Sequence, residues 1–434
     1  MSDQRRQVSL TGSVSLGTGV MVGAGIFALV GQVAQLAGPY VPHAFLAGAL
    51  VTAVSAYSYA RYSAANPSAG GIAMLLKAAY GPGFITGSFA LFMYVSMVVA
   101  ESLLARTFGT YVLRPFGLQD SPVLVPALGV VVIAVAAAVN IRGTRLVEGS
   151  AVGSAVIKVI GLAALAVAGL VAAGASGIGD ALLAPSGTDR ADGWIGVVGA
   201  TTLCVLAYKG FTTITNQGDD LRDARRNLPR SIGLSIVLTT VVYLLLTTAV
   251  TANLDVAGII EARDYAVAAA AEPAFGSWGV NLTIVLAAVA TFSGLLASIY
   301  AVSRLYDMLH SMGHVPELPL SLHRQPVLIT AGLAILVTVF FDLSQMASIG
   351  ALLYLTMDVV VQWGVARRLA GDISARRWIP VVAIVLDVVV LGAFLVLRIQ
   401  QHPSAVVASV AIAGAILAAQ AVVARHRSRE DSEV

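Results

Sequence analysis

The chain has 434 residues, 58% hydrophobic and 11% charged, with a mean hydropathy of +0.86 and a formal net charge of +3. A water-soluble globular protein carries about a quarter of its residues as charges, so this composition excludes one. The single cysteine, Cys204, excludes an intramolecular disulfide and a cysteine-based metal site.

Bilayer-length windows predict twelve spans, near residues 12–36, 41–64, 84–113, 122–140, 150–174, 193–217, 231–252, 278–308, 327–341, 345–368, 378–398 and 404–424. No cleavable leader is expected, because the first apolar run follows Arg5 and Arg6 and continues without a cleavage pattern. An even number of spans puts both termini on one side. Arg61, Lys77, Arg142, Arg145, the arginines of 222–230, Arg304, Arg367, Arg368 and the C-terminal arginines fall on that side. Arg114, Arg190, Arg263 and Arg398 fall opposite, among acidic loops. This asymmetry predicts a multi-pass protein of the plasma or inner membrane with both termini in the cytoplasm. The longest stretches between spans lie near 175–192 and 253–277, the second with a short surface helix over 258–263; no soluble domain is expected.

The first span reads Gly17-Thr18-Gly19-Val20-Met21-Val22-Gly23-Ala24-Gly25-Ile26-Phe27. Two readings fit its glycines. One is close helix packing through small residues. The other is a break at mid-membrane, which a bilayer tolerates only where the backbone lines a cavity or is covered by protein. Freed amides there suit a carboxylate, and freed carbonyls suit an ammonium.

Glu101 lies mid-way along the third span. Asn140 and Arg398 sit near span ends and are expected to face headgroups or water. In the fifth span Lys158 stands inside the apolar run from Gly149 to Gly174, roughly 12–15 Å along the helix from where the run begins. Reach to the headgroups is long even for a snorkelling lysine. An intramembrane ionisable group is a functional candidate by default, and buried lysines can exchange protons in the physiological range. A permanent bond to a carbonyl is the structural alternative.

The sixth span contains Leu206-Ala207-Tyr208-Lys209-Gly210-Phe211, followed by Asp219, Asp220 and Asn227-Leu228-Pro229-Arg230. Glu101 and Lys209 are opposite charges at one depth, which predicts an ion pair; either alone is costly to bury. Asp358 in the tenth span is a possible coupling residue, and Asp387 in the eleventh reads as a packing or oligomer-face residue. His310 and His314 have i,i+4 spacing, but a solvated turn is the expected reading rather than a metal site. No nucleotide-binding or metalloprotease motif occurs, so no catalytic residue, cofactor or metal is expected.

Here a resemblance becomes specific. Gly23-Ala24-Gly25-Ile26-Phe27 and Ala207-Tyr208-Lys209-Gly210-Phe211, with the Asn227–Arg230 turn and Ser303-Arg304 ahead of Gly313 and Pro316, resemble the amino acid–polyamine–organocation (APC) transporter superfamily over nearly the whole chain. The resemblance implies an all-α integral membrane protein with 12 transmembrane helices and a LeuT-type 5+5 inverted repeat with broken helices 1 and 6. Residues 1–11 would then be a cytoplasmic N terminus, 12–174 the first repeat, 193–368 the inverted second repeat, 378–424 two outer helices and 425–434 a cytoplasmic tail.

It further implies a substrate site at Met21, Val22, Gly23, Ala24, Gly25, Ile26, Glu101, Leu206, Ala207, Lys209 and Gly210. The substrate carboxylate would meet the amides of Ala24 and Gly25, and its amine the carbonyls near Met21 and along 206–209. Leu206 stands where many relatives carry an aromatic gate, with Tyr208 and Phe211 able to compensate. Lys158 resembles the helix 5 lysine of proton-coupled, sodium-independent members, bridging to Gly19 and Ser293. The implied activity is proton-coupled amino acid transport by alternating access. The alternative is an amine, polyamine or cationic amino acid carrier or exchanger, and a sensor or channel is the reading from another class. The partners are a small-molecule substrate, protons and membrane lipid, with no nucleic acid.

Overall fold

The computed structural model describes residues 8–142, 144–183, 193–315 and 325–433. Arg5, Arg6, Arg190, Arg324 and Pro316 lie outside them, as do the side chains of Ala24, Arg145, Arg427 and Arg429. Among the described residues no strand forms, and the chain is helical throughout. The first two helices are α1 (Leu10–Ala37) and α2 (Val41–Ala65). Ser9 caps α1, its hydroxyl accepting from the Gly12 amide at 3.1 Å. Gly38 ends it at φ 57°, a conformation open to glycine, and Pro39 and Pro42 start the next turns.

The next helices are α3 (Gly71–Tyr80), α4 (Phe84–Leu113), α5 (Leu124–Arg142), α6 (Thr144–Leu182), α7 (Gly193–Tyr208) and α8 (Thr212–Thr215). Then come α9 (Ala224–Asn253), α10 (Val256–Glu261), α11 (Ala266–Ser311), α12 (Gln325–Phe340), α13 (Leu343–Gly364), α14 (Trp378–Gln401) and α15 (Pro403–Glu433). Among the described residues, ten helical segments are long and apolar enough to cross a membrane. The first, Leu10–Ala65, contains both α1 and α2, and α12, over the ninth expected span, is shorter.

Two long helices bend at glycines near the expected span limits: α6 at Gly174 (φ 69°) and α11 at Gly276 (φ 62°). The centre is α1, packed against α6, α7, α9 and α11. By contrast α14 and α15 expose apolar side chains such as Val385, Val388, Val407 and Val410, as lipid-facing helices do. Val8 pairs with Leu221 in an isolated bridge, tying the start of the described chain to the segment after α8.

Several sequence expectations are corrected here. The first span is not broken: α1 is helical through Gly17–Phe27. Its glycines are packing positions. A Cβ on Gly17 would lie 2.4 Å from Ile214, on Gly23 2.9 Å from the Ala290 carbonyl oxygen, and on Gly25 2.0 Å from the Tyr243 hydroxyl. The sixth span is tightened rather than unwound, by a 3₁₀ turn over Lys209–Phe211 between α7 and α8.

Asn140 and Arg398 turn inward, where some of their polar atoms bond to protein, while Asn140 Oδ1 and Arg398 Nε and Nη2 have no partner among the described residues. Asn140 Nδ2 donates to the carbonyls of Ala136 and Leu296, at 2.9 and 3.2 Å. Arg398 is fully buried, donates to Ser344 Oγ at 3.3 Å and lies over the Phe394 ring. His314 is buried against Gln420, whose Nε2 donates to its carbonyl at 2.7 Å, while His310 is exposed. The two histidines therefore do not face one another in a solvated turn.

Candidate functional site

The site is built where α1 crosses the 3₁₀ step after α7. A helix repeats its face at i, i+3, i+4 and i+7, so Leu206, Lys209, Gly210 and Thr213 share one side. With Val20 of α1 and Ser298 of α11 they line a cavity of about 30 Å³. That volume suits a water molecule or two, so this is a closed crossing. A larger cavity of about 40 Å³ shares Val20 and Thr213 and runs toward Val8, Asp220 and Arg304. Arg304 donates to Asp220 there at 2.6 Å.

Gly210 allows the crossing, since a Cβ on it would lie 2.7 Å from the Met21 amide nitrogen. Met21, Val22 and Ile26 are buried in the helix contact, and Gly23 faces the backbone of Ala290 and Gly294 on α11. The amides of Ala24 and Gly25 lie within the helical run of α1, where the i→i−4 ladder occupies them. They are not turned to a carboxylate in this state. Ala207 and Leu206 line the cavity, with Leu206 at its gate position 8% exposed. The expected gate residues Tyr208 and Phe211 fall on other faces of the helix. Tyr208 packs on Tyr243, ring centres 5.1 Å apart, and Phe211 on Tyr59 at 5.5 Å.

Tyr243 of α9 is the residue that sequence reasoning missed. Its hydroxyl donates to the Met21 carbonyl at 2.6 Å and approaches the Ala207 carbonyl at 3.4 Å. It thus occupies carbonyls expected to receive a substrate amine. The only signal in the sequence is a tyrosine in the middle of an apolar span.

Lys158 is buried, 1% exposed, and its Nζ donates to the Gly19 carbonyl at 2.9 Å. This joins α6 to α1 two residues from Met21. The expected bridge to Ser293 is not made. As serines in apolar helices commonly do, Ser293 returns its hydroxyl to its own helix, to the carbonyls of Val289 and Ala290 at 2.5 and 3.3 Å.

Glu101 and Lys209 form no ion pair within 4 Å; among the described residues such pairs join Arg114 to Glu272, Arg263 to Asp264 and Arg304 to Asp220. Lys209 Nζ donates to Ser96 Oγ at 2.6 Å and stands 5.4 Å from the centre of the Tyr354 ring. Glu101 Oε1 accepts from Ser298 at 3.2 Å, while its buried Oε2 has no donor among the described residues. Each charge has thus found its own neutral partners, with Ser298 linking Glu101 to the cavity wall. Asp358 lies away from this cavity, against α2 and α14.

A family model for amino acid permeases matches residues 8–424. The inner membrane transport protein YbaT of Escherichia coli (strain K12) is 30% identical over 397 residues, covering 90% of each chain. Cationic amino acid transporter 4, vacuolar, of Arabidopsis thaliana is 26% identical over 380 residues, 82% of this chain and 62% of that protein. A mutant manganese transporter of Eremococcus coleocola, known from its crystal structure, matches with a TM-score of 0.58 and 11% identity, over 96% of this chain and 93% of that one. At that identity the likeness is one of fold.

Proposed function

We propose that this chain, which belongs to the amino acid permease family, carries an amino acid together with a proton, independently of sodium, by alternating access. As a member of that family it is an integral membrane transporter and not an enzyme. The observation that carries the finer reading is the buried Lys158 ammonium on the Gly19 carbonyl. A charged donor holds α6 to α1; a neutral amine holds them less tightly. Proton binding at one side and release at the other would bias the crossing between closed and open.

In this reading residues 12–174 and 193–368 are the two repeats, both termini are cytoplasmic, and substrate enters between α1 and the Lys209–Phe211 turn. Because the α1 amides are engaged in the closed state, α1 must loosen near Ala24 and Gly25 to receive a carboxylate. The test is uptake of an amino acid panel into proteoliposomes under imposed gradients. Uptake should follow a pH gradient and ignore a sodium gradient; the opposite pattern would end the proton reading.

A second reading, a carrier of cationic amino acids or amines, is favoured by one observation: Glu101 Oε2 is buried with no donor among the described residues, behind the cavity wall at Ser298. Substrate charge is expected to be read there. Glu101→Gln should weaken cationic ligands by roughly tenfold, the scale of one charge-assisted hydrogen bond. Lys209→Met should weaken ligands with acidic or strongly polar side chains. Ligand-induced melting shifts for wild type, both single variants and the double variant check this. An unchanged rank order in all four, with melting temperature lowered only in the singles, would make both charges structural.

A further inference from the structure

Asp358, in the C-terminal half of α13, is fully buried among donors. The Ser55 hydroxyl donates to its Oδ2 at 2.5 Å, the Tyr59 hydroxyl donates to its Oδ1, and Gln362 Nε2 approaches Oδ1 at 3.3 Å. Gln362 is itself fixed by α2, accepting from Ser58 Oγ and donating to Ser55 Oγ at 3.0 Å. From the other side comes Asp387 of α14, equally buried, with its carboxyl within hydrogen-bonding reach of the Asp358 carboxyl. Among the described residues no N–H or O–H group donates to either oxygen of Asp387.

Two carboxylates in contact inside an apolar core cannot both be ionised, and an acceptor-only group without a donor is costly to bury. The unequal surroundings decide which one is charged. Asp358 has three donors for its lone pairs and can bear the charge. Asp387 has none, and it satisfies both itself and its neighbour only by supplying a proton. We propose that Asp358 and Asp387 hold one proton between them, Asp387 as donor and Asp358 as charge-bearing acceptor, and that this proton fastens α14 to α2 and α13.

The other titratable groups facing the pair are Tyr59 of α2 and Tyr354 of α13, with the Lys209 ammonium over the Tyr354 ring. The α7 helix brings the Thr202 hydroxyl to α14, bonded to the Val390 carbonyl at 2.9 Å. The α15 helix packs on both α13 and α14. Its Ser409 hydroxyl turns back to Ala405. Both carboxyls are sealed from water, so the pair keeps its proton in this conformation and is distinct from Lys158.

The sign of the pH effect follows. A proton bound in the folded state and released by the separated carboxyls of an unfolded chain makes stability fall as pH rises. Asp387→Asn replaces the donor by an amide that cannot ionise. The purified variant should melt within about 2 °C of wild type at neutral pH. Its melting temperature should fall less than that of wild type between neutral and alkaline pH, and it should lose the infrared band of a buried protonated carboxylic acid. Asp358→Asn should melt lower, its three donors having lost their anion. Should that variant not fold, Asp387→Asn still decides. An Asp387→Asn protein with the wild-type pH slope and the wild-type band, or one that collapses at neutral pH, overturns the shared proton.

Discussion

Lys158→Ala is expected to reduce pH-driven uptake at least tenfold, to the level of protein-free liposomes, while the purified protein remains folded. The ammonium is 1% exposed and bonded at 2.9 Å to a carbonyl of the central helix. Alanine removes that bond and leaves no group at this position to take or give a proton. The stability cost is expected to be about 1–3 kcal/mol, from lost stem packing and an underused carbonyl, which a protein with so large a buried core survives. Lys158→Gln separates the two roles. Its amide can still donate toward Gly19 but cannot titrate, so it should be the more stable variant and equally uncoupled. Proteoliposome uptake across a range of internal and external pH checks both. Wild-type pH dependence in either one would remove Lys158 from coupling and leave it a structural tether.

Gly25→Leu is expected to abolish ligand-induced stabilisation and to lower the melting temperature of the empty protein. A single Cβ at this position already falls 2.0 Å from the Tyr243 hydroxyl and 2.8 Å from the Ala207 methyl. Tyr243 would have to leave the Met21 and Ala207 carbonyls. Overpacking and an orphaned buried carbonyl together cost about 2–5 kcal/mol. The pair Gly25→Ala with Tyr243→Ala removes both the obstructing hydroxyl and the ring carbon 2.8 Å away, and so distinguishes packing from binding. If the double variant recovers melting temperature but no ligand shift, the substrate meets the crossing at Gly25. If it recovers both, Gly25 serves packing alone and the site lies elsewhere. A Gly25→Leu protein with wild-type stability and ligand response would contradict the geometry itself.

The helical framework was readable because a run of about 20 apolar residues has few other uses. Lys158 stood out because its apolar run makes a charge conspicuous. What could not be read was which way a residue faces. Gly17, Gly23 and Gly25 look the same in a broken helix and in a tightly packed one. The difference lies in Ile214, Ala290 and Tyr243, far along the chain, which fill the space beside them. Asp387 and Arg398 sit on a helix that is apolar nearly all round, so nothing local reveals that their faces turn inward. Glu101 and Lys209 were expected to pair because opposite charges at equal depth attract. Ser298, Ser96 and Tyr354 competed for them instead, and small hydroxyls within an apolar helix leave no pattern to read.

The hydroxyl of Tyr243 also shapes the heat of any motion at the crossing. The Met21 carbonyl is already satisfied in the closed state. Letting water in therefore trades one hydrogen bond for another, with little net enthalpy. What changes is the apolar surface of Val20, Leu206 and Ala207 brought into contact with water, which raises heat capacity. At about 25 °C, where apolar hydration carries little enthalpy, closed and hydrated forms of this protein should thus be almost indistinguishable by calorimetric heat. They become distinguishable in how that heat varies with temperature.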